Sequence, residues 1–226
     1  MRINIAIDGP SAAGKSTIAK LLARKYNYIH LDTGAMYRCV ALACKKAGIC
    51  DRDEESIKKI LPETKISFDS AGGVYLNDED VTRRIREEDM SIGASNVSTL
   101  LSVRQDLVSR QQQFARDKGI IMDGRDIGTV VLKDAEIKIF MTASPESRAR
   151  RRYQENLEKG IACDFDTLVK EIEERDYQDT HREHSPLTQA EDAVLVDTSD
   201  LSIPEVVQVI SNLISERFPE GVSIHD

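Results

Sequence analysis

Apolar and polar residues alternate from Arg2 to Ile7, the period of a strand, and Ile18, Leu21 and Leu22 then recur at helical spacing. The chain therefore opens as strand, turn, helix. A second helical stretch runs from Gly34 to Lys46, followed by a polar break at Ile49–Arg52 and a short helix over Glu54–Leu61 that Pro62 ends. From Lys65 to Thr82 the pattern changes. Ile66–Phe68 and Val74–Leu76 read as short antiparallel strands, with turns at Ala71–Gly73 and Asn77–Asp78, and mark a small β insertion. Helical spacing returns from Ser91, and Val103–Lys118 reads as a long amphipathic helix stopped by Gly119. Ile120–Asp123 and Ile137–Met141 are buried strands. Helices follow at Pro145–Lys159 and Phe165–Thr180, separated by Gly160–Asp164, and a strand at Ala193–Val196 precedes a last helix over Ile203–Phe218. Strands alternating with helices predict a parallel α/β sheet covered on both faces.

A chain of 226 residues suits one domain, or a core with one or two small insertions, and is long enough to bury a core without disulfides or structural metal. It contains no apolar run of the ~18 residues that a membrane span needs. Met1 to Asp8 reaches an acidic residue and a Gly-Pro turn before any signal-peptide apolar region forms, so a cytoplasmic protein is expected. The net charge of −8 has the wrong sign for a general nucleic-acid binder. Cys39, Cys44, Cys50 and Cys163 form no C-x-x-C pair and have no companion histidine spacing, and read as small apolar packing residues.

The strongest chemical signal lies between the first strand and the first helix. Gly9, Pro10, Ser11, Ala12, Ala13, Gly14, Lys15 and Ser16, followed by Thr17, satisfy G-x-x-x-x-G-K-[ST]. There the glycines let backbone N–H groups turn inward and the helix N-terminus faces bound phosphates. Lys15 can reach the β and γ oxygens of ATP, and the Ser16 hydroxyl can ligate Mg²⁺. Ile120–Asp123 supplies the expected partner, an apolar strand delivering the Asp123 carboxylate as a second Mg²⁺ ligand, direct or through water.

Arginines bear on the phosphoryl acceptor. Arg38 follows Leu31–Tyr37, Arg125 follows Asp123–Gly124, and Arg175, Asp179 and Arg182 recur at i, i+4 and i+7 on what reads as one helix face. Guanidinium groups suit a second phosphate and the carboxylate suits sugar hydroxyls, although the row alone also fits a solvated ion-pair face. A second basic cluster, Arg148, Arg150, Arg151 and Arg152, lies on the helix from Pro145. Positions 148, 151 and 152 share a face there and Arg150 points away. Like charges at that spacing repel unless an anion or nearby acids such as Glu155 neutralise them. Closure of Arg148 and Arg151, with Arg152 beside them, over ATP and the transferring phosphoryl group, with Gly160–Asp164 as a flexible tip, is the functional expectation. Open alternatives are a P-loop kinase for another acceptor, such as a different nucleoside monophosphate or shikimate, and a non-enzymatic P-loop switch. The absence of an Asn-Lys-x-Asp stretch and the set of arginines oppose the switch.

Asp8–Thr17, Leu31–Arg38, Asp123–Val131, Lys138–Phe140, and Glu174–Asp176 followed by Pro186–Leu187 resemble, nearly end to end, the bacterial cytidylate kinases. These nucleoside monophosphate kinases move the γ-phosphoryl group of ATP onto CMP or dCMP. The resemblance implies a five-stranded parallel P-loop kinase core with helices on both faces, a small β-containing monophosphate-binding insertion, and a helical lid. In this chain it implies one domain over 1–226, with the core at 1–61 and 91–226, the insertion at about 62–90 and the lid at about 148–166. Carried over by motif position, Arg38, Arg125 and Arg182 would hold the CMP phosphate. Ser95, Arg104 and Asp126 would read cytosine, Arg175 and Asp179 would take the ribose, and Thr33 and Tyr37 would line the same pocket. Thr33 stands where relatives often have Ser, and Ala12 where many have Gly. An acidic acceptor with a guanidinium donor complements the N4 donor and the N3 and O2 acceptors of cytosine, whereas uracil would set its O4 against Asp126. The cofactor implied is Mg²⁺ carried with ATP; the partners are small-molecule substrates, with no nucleic acid and no membrane, and a monomer is expected.

Overall fold

A computed structural model of the protein describes residues 1–69, 72–158 and 160–222. In chain order the elements are β1 (Ile5–Asp8), α1 (Lys15–Tyr26), β2 (Ile29–Asp32), α2 (Thr33–Ala47), α3 (Glu54–Ile60), β3 (Ile66–Phe68), β4 (Val74–Leu76), β5 (Glu79–Asp80), α4 (Glu88–Val97), α5 (Leu101–Phe114), β6 (Ile120–Gly124), β7 (Ile137–Thr142), α6 (Pro145–Glu158), α7 (Phe165–His181), β8 (Val194–Asp197) and α8 (Ile203–Arg217). They form two compact units, one of residues 1–31 and 117–226 and the other of residues 32–116.

The larger unit is built on a five-stranded sheet in the order β2-β6-β1-β7-β8. β1 runs parallel to both central neighbours, with Asp8 opposite Gly124 on β6 and opposite Phe140 on β7. Strands buried on both faces read as apolar runs, and β1 and β6 are buried at every position. Ile18, Ala19, Leu22 and Ala23 on α1 and Val206, Ile210 and Ile214 on α8 pack in one cluster with Ile5, Ile7, Ile121, Ile139 and Met141. At the end of β1 the chain must turn very close to β7. A Cβ on Gly9, whose φ is +148°, would lie 1.9 Å from the Met141 carbonyl oxygen, so the turn admits only glycine.

In the smaller unit β3, β4 and β5 form an antiparallel sheet with Ile66 opposite Leu76 and Leu76 opposite Glu79. Asn77 and Asp78 take φ of 49° and 66°, the two left-handed positions of a tight hairpin turn. This compact unit, residues 32–116, is wider than the insertion at about 62–90 that the resemblance implies. Ala35, Cys39 and Leu42 of α2 and Met90 of α4 share one core with Val74 and Leu76 of the sheet.

The structure departs from the hydrophobic pattern in several places. The sequence does not announce β2: it runs straight into α2 at Thr33 with no turn residue between, and its outer half is exposed or half-buried. β5, two exposed residues just after the Asn77–Asp78 turn, is too short to carry a pattern of its own. α5 ends at Phe114 rather than Lys118, because Lys118 and Gly119 take φ of 55° and 76°. Gly119 then donates to the Ile3 carbonyl and accepts from the Ile29 amide, which recruits it to the sheet. α4 starts at Glu88, before the expected Ser91, with Glu88 and Asp89 favourably placed in its first turn. The expected turn residue Ala71 and the expected helix end Lys159 lie outside the described residues. Among the described residues no helix is long and apolar enough to cross a membrane. Cys39 and Cys44 are buried, and burial pushes their thiols up to about 12 and about 11, whereas Cys50 is exposed and so is not a packing residue.

Candidate active site

In the larger unit the phosphate loop leaves β1 at Gly9 and enters α1 through Gly14, which has φ of 86°. Ala12 takes φ of 56°, a left-handed position where a side chain costs on the order of 1 kcal/mol relative to glycine. Lys15 is buried and donates from Nζ to the Pro10 carbonyl at 2.6 Å. Burial first, and then the nearby Arg125 cation, lower its pKa to about 7 against the opposing pull of Asp123 and Asp179.

Beside it, Ser16 Oγ donates to Asp123 Oδ2 at 2.6 Å. These residues are 107 positions apart, brought together because α1 begins where β6 ends beside β1. A hydroxyl and a carboxylate in contact form a hard, all-oxygen pair suited to Mg²⁺ that arrives with nucleotide phosphates and keeps several other ligands. The other Asp123 oxygen, Oδ1, lies 2.6 Å from Nε2 of His30 on β2, a contact that the sequence does not announce.

The basic cluster on α6 divides as its helical spacing predicts. Arg150 is exposed, Arg152 half-buried, and Arg148 buried. Arg148 donates from Nε to the Ala143 carbonyl at 2.9 Å and from Nη1 to the Ser11 carbonyl at 3.2 Å, and forms a two-pronged ion pair with Asp176. Arg151 donates from Nη1 to the Ala13 carbonyl at 3.4 Å and to Thr198 Oγ1 at 3.2 Å, and from Nη2 to the Thr198 carbonyl. Both guanidinium groups thus sit against the phosphate loop. The acid that neutralises Arg148 is Asp176, not the exposed Glu155 on its own helix.

Three residues after Asp176, and so on the same face of α7, stands Asp179, buried among arginines. Arg125 donates from Nε to its Oδ2 at 2.7 Å, while Arg175 Nε and Arg182 Nη1 lie 3.6 and 4.0 Å from its Oδ1. Burial alone would raise this carboxyl, but the Arg125 and Arg175 charges hold it below the ordinary aspartate value. α7 ends at His181, so Arg182 is not on the helix face; it stands just past it in extended backbone and donates from Nε to the Ser185 carbonyl at 2.7 Å. Its Nη2 comes within 3.9 Å of Asp126.

Asp126 precedes a single wide helical turn, Ile127–Val131, that the sequence did not disclose. Asp8 holds this turn: Oδ1 accepts from the Ile127 amide and Oδ2 from the Gly128 amide, each at 2.7 Å. Burial pushes the Asp8 carboxyl up to about 6, opposed by these two N–H groups. In the sequence Asp8 stands only as the first residue of a motif.

In the smaller unit Asp32 caps α2, accepting from the Ala35 amide at 3.0 Å, and pairs with Arg86 at 2.9 Å and with Arg38 at 4.0 Å. Thr33 and Tyr37 are buried on the same helix. Arg104, which without the family resemblance would read as a surface charge, is buried; it lies 5.7 Å from the centre of the Tyr37 ring and donates to the Ser98 carbonyl at 3.1 Å. Ser95 is half-buried on α4.

Comparison with known proteins agrees with this chemistry. The cytidylate kinase family model matches residues 5–216. A cytidylate kinase of Leuconostoc mesenteroides is 54% identical over 94% of this chain and 96% of its own length. One from Ligilactobacillus salivarius is 55% identical over 96% and 98%, and one from Streptococcus thermophilus is 50% identical over 97% and 99%. Among solved structures, a shikimate kinase from Bacteroides thetaiotaomicron superposes with a TM-score of 0.51 at 15% identity over 95% of this chain and 99% of that one, a likeness of fold alone. A parallel sheet with a phosphate loop at β1, a carboxylate on β6 in contact with the loop serine, and near full-length identity above one half place the chain in one family: it belongs to the cytidylate kinases.

Proposed function

We propose that this protein transfers the γ-phosphoryl group of ATP to CMP or dCMP, giving CDP or dCDP and ADP. The observation that carries this reading is family membership over nearly the whole chain, joined to a phosphate loop with Lys15, Ser16 and Asp123 assembled. Gly9 to Thr17 would cradle the ATP phosphates, and Ser16 and Asp123 would hold Mg²⁺, which supplies charge neutralisation at the β and γ oxygens. Arg38, Arg125 and Arg182 would take the CMP phosphate. Arg175 and Asp179 would take the ribose, Ser95, Arg104 and Asp126 the base, and Thr33 and Tyr37 would line its site.

The chemistry asks for position and charge rather than a base, because the accepting phosphate oxygen is already anionic. Lys15, Arg125, Arg148, Arg151 and Arg182 are the cations that would stabilise the transferring group, and exclusion of water by a lid at about 148–166 would prevent ATP hydrolysis. A cytoplasmic monomer fits this role. ADP release measured across CMP, dCMP, UMP, AMP and shikimate tests the reading: CMP and dCMP should be the best acceptors, and preference for any other would overturn it.

Asp126→Asn should erode the preference for CMP over UMP, since an amide can donate to the uracil O4 where a carboxylate only repels it. An unchanged CMP:UMP ratio of kcat/KM would remove Asp126 from base recognition.

Single alanine variants divide the basic cluster. With saturating Mg-ATP and CMP, kcat should fall at least tenfold for Arg151→Ala and stay near wild type for Arg150→Ala, whose side chain is exposed. Arg148→Ala should fall as far but lose stability too, because it strands Asp176. Equal small losses at 150 and 151 would reduce the cluster to a solvated face.

A further inference from the structure

His30 touches neither the phosphate loop in any contact described above nor any residue assigned to CMP. Yet its side chain is only 12% exposed, on an edge strand whose first residue, Ile29, is 58% exposed. Its Nε2 is 2.6 Å from Asp123 Oδ1, while Asp123 Oδ2 is 2.6 Å from Ser16 Oγ. Three side chains from β2, β6 and α1 thus form one row, His30, Asp123, Ser16, with the carboxylate in the middle. A carboxylate offers only acceptors, so the hydrogen of this contact lies on Nε2, and His30 is the donor.

A carboxylate at the end of a strand can rotate about its terminal torsion, which has broad, shallow minima. A donor on one oxygen removes that freedom and leaves the other oxygen directed at the serine hydroxyl. Partners that orient a ligating group in this way are commonly worth 10- to 100-fold in metal affinity. We infer that His30 is a positioning residue: by donating from Nε2 to Asp123 Oδ1 it fixes Asp123 Oδ2 beside Ser16 Oγ, and so raises affinity for Mg²⁺ carried by the nucleotide. The inference rests on the nucleotide-binding half of the proposed function and is indifferent to which acceptor is used.

The test reads metal affinity without turnover. ADP binding is measured by titration calorimetry on the full chain, once with a chelator and once with excess Mg²⁺, for the wild type, His30→Phe and His30→Gln. The ratio of the two affinities is the Mg²⁺ increment. The phenylalanine ring fills the space without a donor, and the glutamine amide restores an N–H at similar reach. The increment should fall about tenfold in His30→Phe with metal-free ADP affinity unchanged, and His30→Gln should recover most of it. An undiminished increment in His30→Phe would overturn the role, as would an equal loss of metal-free affinity, which would mark a structural effect on the loop. Failure of glutamine to rescue would remove the donor as the cause. Should the phenylalanine variant not fold, His30→Ala makes the same comparison. A wild type without any Mg²⁺ increment would overturn the Ser16–Asp123 site itself. Loss of CMP specificity in the acceptor panel, with the increment intact, would leave this inference standing.

Discussion

Replacing Lys15 by methionine should leave a folded protein whose phosphoryl transfer has dropped by a factor on the order of 10³ or more, because the cation at the β and γ oxygens is gone. The same variant should be more stable than the wild type in the absence of nucleotide. Lys15 is buried with its pKa lowered from 10.5 to about 7, so the unfolded chain binds this proton more tightly than the folded one. Between those two values the unfolded state carries more protons, and the wild type gains stability from this group as pH rises from about 7 toward 10.5. Methionine keeps the volume and removes the buried charge. Lost with the charge is one hydrogen bond, to the Pro10 carbonyl. We expect a net gain of about 2 kcal/mol at neutral pH, a rise in melting midpoint of roughly 4–8 °C, and a flatter stability profile between pH 7 and 10. Calorimetric melts and a coupled ADP assay on the same preparation check both halves. Near-normal turnover would remove Lys15 from catalysis, and a lower midpoint would show that its hydrogen bond outweighs its burial.

Asp179→Asn should do the reverse and cost stability as well as substrate affinity. The carboxylate sits among Arg125, Arg175 and Arg182, and the amide would leave those half-buried cations without their shared counter-charge. A loss of about 3 kcal/mol, roughly 6–12 °C in the melting midpoint, is expected at pH 7, together with a raised KM for CMP. The carboxyl is held below its ordinary value of 3.8, so its contribution is full above that pH and disappears as pH falls through the depressed value. The difference between wild type and variant should therefore close in acid, and a difference independent of pH would mean that packing rather than charge is at work.

Both residues were legible in the sequence, for different reasons. The phosphate loop is a local motif, and its chemistry follows from eight consecutive residues, so Lys15 and Ser16 could be assigned before any fold. Asp123 followed because an apolar strand ending in a carboxylate is the expected second part. Asp179 was legible only as one of a helical row, and Arg182, the last of that row, turned out to lie beyond the helix. Ser95, Arg104 and Asp126 carried no signal of their own and were reached through resemblance alone. His30 is reached in neither way, and Asp176 stands only as the last residue of a resembling motif, with no role attached. Each acts through a partner on another element, 93 residues away for His30 and 28 for Asp176, and pairing across such distances is a property of the sheet order, not of spacing along the chain. The short strand β2, which delivers His30, was missed because it runs straight into α2 with no turn residue between Asp32 and Thr33 to mark its end.

The close approach at Gly9 bears on how a nucleotide is received. The root of the phosphate loop is wedged against the Met141 carbonyl by shape, with no room for even one additional carbon. The freedom of this residue is given up when the chain folds rather than when ATP arrives, so the base of the loop is set before its ligand comes. Ordering that part of the backbone then costs nothing at binding, and the saving adds to affinity for the triphosphate.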